Sequence, residues 1–142
     1  MLKTSSQYSI VMSSVGGAIA CEAVLHRAIE ADKENITLVA SDHIYSSAMN
    51  LFANVTCKRE IQIGTVGMAH LPAVSVPMVG LNVARNEIEQ AHLEAMDSVK
   101  KSHLYFWKQF MTVEELKMYE AGKDIIFSTE RISKMLGVPV MA

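Results

Sequence analysis

Tyr8-Ser9-Ile10-Val11-Met12, followed by Ser13-Ser14-Val15-Gly16-Gly17, decides how this chain is read. Five strand-forming residues run into a polar, glycine-containing turn. The next stretch, from about Ala18 to Ala31, carries Cys21, Val24, Leu25, Ala28 and Ile29 at the spacing of a core-facing helix. Asp32-Lys33-Glu34-Asn35 closes that helix, and Ile36-Thr37-Leu38-Val39-Ala40 is a second apolar run. Strand, helix and strand in this length make a βαβ unit with two parallel strands. In such sheets ligands settle outside the carboxyl ends of the strands. The turn Ser13–Gly17 and the polar triplet Ser41-Asp42-His43 would then share one rim.

The rest of the chain extends this α/β reading. Ser41 or Asp42 can cap a helix with a stripe of Ile44, Ala48, Leu51, Phe52 and Val55. Val55, Cys57, Ile61 and Ile63 alternate with polar residues, the period of a half-covered strand of the antiparallel or edge kind. Arg59 interrupts its apolar face, and Gly64-Thr65-Val66-Gly67 loosens its end. Ala73 to Val79 reads as a fourth strand, pushed toward an edge by Pro77. Asn82 can cap a long helix from Val83, which either continues through His103–Phe110 or gives way to another. Thr112 with Glu115 forms a capping-box pair, and that helix stops at Gly122. A short helix follows Ser128 or Thr129 and ends at Gly137.

The expected fold is a small mixed, partly parallel sheet of about four strands with flanking helices. Residues 1–142 form a single α/β domain, with 103–142 as a helical C-terminal extension. Ser128 to Pro139 resembles the scaffold helix and turn of a helix-turn-helix over those residues alone. No recognition helix follows before Ala142, so an amphipathic cap is the preferred reading.

Composition narrows the partners. Lys and Arg number 13 against 15 Asp and Glu, a formal charge of −2, which disfavours nucleic acid. Between Asn35 and Leu81 the charged residues are Asp42, Lys58, Arg59 and Glu60 alone. So apolar a middle, in a chain with ten methionines, implies a homo-oligomer whose partner covers part of it. The aromatic cluster Tyr105, Phe106, Trp107 and Phe110 reads as a packing or docking surface. No apolar run has the length to span a bilayer, and the two cysteines form neither a CxxC pair nor a disulfide framework. A cytoplasmic protein is expected.

The chemistry is sought at the strand-end rim. Ser13, Ser14, Gly16, Gly17 and Ser41 offer hydroxyls and free backbone N–H groups to a small polar or anionic ligand, without the pattern of a dinucleotide or P-loop fingerprint. Asp42 can orient an imidazole, so His43 or His70 becomes a candidate general acid or base. The five histidines include no HxxxH or HExxH spacing. His92 and His103, if on one helix, stand roughly 16 Å apart at 1.5 Å per residue, so a metal is not expected. His26 lies one turn after Glu22, the spacing of an exposed helix pair. The leading function is binding of a polar or anionic metabolite in a regulatory or accessory role, with no particular cofactor implied. One alternative is a metal-independent acid–base enzyme (isomerase, lyase or hydrolase) using His43 or His70 with Asp42. Another is a structural assembly subunit.

Overall fold

The computed structural model describes residues 6–72 and 83–142, with the backbone alone at 83–86 and 88. Strand β1 (Tyr8–Ser14), helix α1 (Ile19–Ala31) and strand β2 (Ile36–Tyr45) form the expected βαβ unit. Strands β1 and β2 are parallel, paired from Tyr8↔Ile36 to Met12↔Ala40. Then come α2 (Ser47–Asn54), β3 (Lys58–Gln62), β4 (Val66–Ala69), α3 (Val83–Trp107), α4 (Val113–Glu120), β5 (Ile125–Phe127), α5 (Thr129–Leu136) and β6 (Val140–Met141). The expected fourth strand at 73–79, the turn after it and the Asn82 cap lie outside the described residues.

Two compact units divide the chain: 1–69 with 125–142, and 70–124. The first holds the sheet. Strand β2 is its spine, with β1 along one edge. Along the other edge, β3 pairs in parallel with Thr37–Ala40, and β4 pairs in parallel with His43–Tyr45. The sheet forks there: β6 extends it beyond β3 in parallel, and β5 extends it beyond β4 antiparallel. A bulge in β2 marks the fork. Asp42 has φ 61°, and the register with β1 slips between Met12 and Ser14.

That bulge corrects the reading of Ser41-Asp42-His43. These residues are not a turn after a strand that ends at Ala40. They lie inside β2, which continues to Tyr45, and Ser46 stands at the N-cap of α2. The ladder resumes at Ser14↔Ile44 with two extra residues on β2, whereas propensity alone reads Asp42 as a cap. The stretch after β3 also differs from its reading as a fraying end. Gly67 sits within β4, where a side chain would put Cβ 2.8 Å from both Ile132 Cδ1 and Met49 Sδ. The missing side chain lets α5 and α2 pack on the strand. Strand β3 is parallel and interior between β2 and β6, not antiparallel or at an edge.

The core consists of alternate β2 residues (Ile36, Leu38, Ala40, Ile44) with Met49, Phe52 and Ile61. Arg59 serves that core rather than breaking it. Its Nη1 donates to the carbonyls of Phe52 and Ala53 at 2.9 and 3.1 Å, closing the C-terminal end of α2. Thr129 Oγ1 donates to the buried carbonyl of Thr65 at 2.5 Å and ties α5 to the β3–β4 turn. Ser128 caps α5 and Gly137 ends it, as expected. Helix α1 departs from expectation: of its apolar stripe Ile29 alone is buried, and Val24 and Leu25 are exposed. His26 pairs with Glu30 at 3.5 Å rather than with Glu22.

In the second unit α3 runs unbroken through His103 to Trp107, so one helix carries both His92 and His103. Thr112 and Glu115 form the expected capping box of α4. Phe106, Trp107 and Phe110 meet edge to face, with centroids 5.0 to 6.3 Å apart.

Candidate functional site

The carboxyl ends of β1 and β2 do meet at one rim, three residues beyond the polar triplet. At the end of β2 the chain turns abruptly into α2 on a single residue, Ser46, with φ 59° and ψ −120°. A serine with positive φ is costly, by about 1–3 kcal/mol. Such a corner, strand to strained serine to helix, lifts the hydroxyl off the sheet and puts the next residue's N–H beside it. The Ser46 N–H donates to the Met68 carbonyl at 2.8 Å, and its carbonyl accepts from Asn50 N–H at 3.0 Å. The corner is therefore held by β4 on one side and by α2 on the other. Ser46 is half-buried, and Ser47 is buried as the first residue of α2. The Ser47 N–H belongs to the first turn, whose donors have no partner inside a helix.

The glycine turn packs against this corner. Gly16 has φ +95°, and a Cβ there would lie 2.6 Å from the Tyr45 carbonyl oxygen and 2.9 Å from Ser46 Cβ. Glycine is required both for its backbone angle and for the approach. The turn's N–H groups are not free, as the sequence implied. Gly16 N–H donates to Ser14 Oγ at 3.0 Å, and Gly17 N–H donates to Ser47 Oγ at 2.7 Å. A cleft of about 180 Å³ opens beside them, bounded by Ser14, Gly17, Glu22, Leu25 and Ser47. Burial pushes the Glu22 carboxyl up to about 7.

The other predicted site residues fall into two groups. Asp42 Oδ2 lies 2.8 Å from His43 Nδ1, and Ser13 Oγ lies 3.5 Å from the same nitrogen. A relay needs the base bonded to its orienting group through one ring nitrogen and to the nucleophile through the other. Here both partners address Nδ1, and Asp42 is largely exposed. Ser41 Oγ donates to Gln62 Oε1 at 2.8 Å. Ser13, Asp42 and His43 are thus brought together, as are Ser14, Gly16 and Gly17 with the corner. His70 follows Ala69, the last residue of β4, and is half-buried. Sequence reasoning does not single out Ser46 and Ser47, because Ile44 to Val55 reads as a helical stripe, with a strand as the alternative. The signal was the serine pair inside an otherwise apolar stripe. Among the described residues no cluster of His, Cys, Asp or Glu could hold a metal ion, and no helix is long and apolar enough to cross a membrane.

The fold resembles that of ClpP1. Superposed on the ClpP1 N165D mutant from Listeria monocytogenes, the chain gives a TM-score of 0.70 at 15% identity, covering 97% of this chain and 75% of that one. At that identity the likeness to ClpP1 is one of fold. No family model and no curated protein matches the chain.

Proposed function

We propose that this protein is a serine hydrolase working by acyl transfer, with Ser46 as the nucleophile. The observation that carries the reading is the strained Ser46 corner with Gly16 packed on it. Strain of this kind persists only where the surroundings enforce it, and it favours a hydroxyl presented for attack. In the proposed reaction Ser46 Oγ attacks an acyl carbonyl as a general base takes its proton. The developing oxyanion is met by the N–H groups of Ser47 and Gly17. The base returns the proton to the leaving group, and water releases the acyl group by the same steps reversed. This is the acid–base alternative of the sequence reading, narrowed to hydrolysis. The polar-metabolite reading has less behind it, because the Gly16 N–H is already bonded to Ser14 Oγ.

A fluorophosphonate probe tests the assignment. It should leave one adduct, on Ser46 by peptide mass spectrometry, absent in Ser46→Ala. A folded protein that gains no adduct, or gains it on another serine, overturns the reading.

We further propose that the protein is a homo-oligomer using the β1–α1 face. Val11, Val15, Val24 and Leu25 are 52 to 70% exposed there, an apolar surface of the kind that marks an interface. Light scattering should give a multiple of 15.7 kDa. A monomer at micromolar concentration would exclude it.

A further inference from the structure

We infer that the Ser47 side chain is a catch that holds the Gly17 N–H closed in the resting protein and must release it for acyl transfer. The inference rests on Ser46 being the nucleophile and concerns how that site is regulated. Ser47 has two polar groups at the corner, and they work against each other. Its backbone N–H, the first of α2, can donate to an oxyanion at Ser46. Its hydroxyl, on a residue only 8% exposed, instead accepts the N–H of Gly17 at 2.7 Å. Gly17 is the natural second donor. Its neighbour Gly16 is pressed so close that an added Cβ would stand 2.9 Å from Ser46 Cβ and 3.2 Å from the Ser47 nitrogen. Donors stabilise an oxyanion best when nothing has to be broken at the moment of reaction. Here one hydrogen bond has to be broken. Gly16 cannot supply a ready substitute, since its N–H is held by Ser14 Oγ at 3.0 Å. Ser47 is therefore a positioning residue that acts through Gly17, and the resting site is incomplete by one donor.

A neutral hydrogen bond of this kind has a modest net strength, which translates into an effect of about two- to tenfold. The probe is the same fluorophosphonate, which loses fluoride as its phosphorus bonds to Ser46 Oγ. Its second-order labelling rate is compared in the wild type, Ser47→Ala and Ser47→Thr. Exchange of the Gly17 amide proton is followed by NMR in the unlabelled proteins, and circular dichroism checks the fold. The Ala variant should label about two- to tenfold faster and exchange Gly17 faster. The Thr variant keeps the hydroxyl and should match the wild type in both readouts. Labelling of Ser47→Ala at or below the wild-type rate overturns the catch while leaving Ser46 as nucleophile. A rise in both variants also overturns it, because Thr retains the acceptor. No adduct in any of the three overturns the Ser46 assignment itself, and the catch with it. If the Ala variant fails to fold, a Thr variant that departs from wild type in labelling and in Gly17 exchange overturns the catch. A match in both upholds it.

Discussion

A Cβ placed on Gly16 would stand 2.6 Å from the carbonyl oxygen of Tyr45. The last residue of β2 and the turn after β1 thus touch backbone to backbone, and Ser46 gets its conformation inside that contact. Gly16→Ala should destabilise the protein by about 2–4 kcal/mol, from left-handed strain together with the clash. It should also abolish labelling of Ser46. Gly17→Ala meets nothing within 4 Å. It should stay within about 1 kcal/mol of the wild type. Urea midpoints of the two variants decide this, and equal midpoints would contradict the packing described.

Arg59 reaches back from β3 to the two carbonyls that α2 leaves open at Phe52 and Ala53. Hydrogen bonds to a charged group contribute about 1.5–3 kcal/mol in total. Arg59→Met keeps the apolar stem and loses the fork, so a loss of about 1–3 kcal/mol is expected in urea unfolding. Because α2 carries the Ser46 corner at its other end, labelling should weaken in parallel. A variant as stable as the wild type would mean that the end of α2 is held by other contacts.

How far these residues could be read in advance depends on whether local pattern or long-range contact sets their role. The βαβ start, the Thr112–Glu115 capping box and the Ser128 cap each follow from spacing within a few residues, and all were legible. The Asp42 bulge was not, because a bulge is defined by the partner strand. β1 and β2 stay in register up to Met12↔Ala40, and the slip comes after it. Arg59 looked like a defect in a strand because its acceptors lie six and seven residues away on another element. The exits of β1 and β2 do share a side of the sheet, because the two strands are parallel. Strand β2 runs on past Ala40 to Tyr45, since nothing local separates a strand that ends from one that bulges and continues.

Glu22 gives the pH dependence a sign. Its carboxyl is half-buried beside Met12, Leu25 and Leu51, and burial raises it from 4.5 to about 7. The unfolded chain loses this proton near the ordinary value, whereas the folded chain holds it longer. The stability linked to Glu22 is therefore complete below about 4.5 and is lost as pH rises through about 7. Glu22→Gln should remove this fall, leaving thermal stability flatter between those values and higher than wild type at pH 8. A wild type whose melting temperature does not decline over that window, relative to the Gln variant, would show that water reaches the carboxyl freely.

Tyr119 poses the opposite problem in the second unit. Its ring is fully buried in α4, and its hydroxyl has no hydrogen-bond partner among the described residues. Burial pushes its ionisation up to about 12, so the group stays neutral across the working range. A buried hydroxyl without a partner costs about 1–3 kcal/mol, whereas the ring that carries it contributes by packing. The two terms separate by substitution. Tyr119→Phe should raise stability by about 1 kcal/mol, and Tyr119→Ala should lower it by about 3–5 kcal/mol. Trp107 is the only tryptophan of the chain and is buried in the same unit, so its fluorescence follows the unfolding of that unit directly. A Phe variant that unfolds earlier than the wild type would mean that the hydroxyl is satisfied in solution.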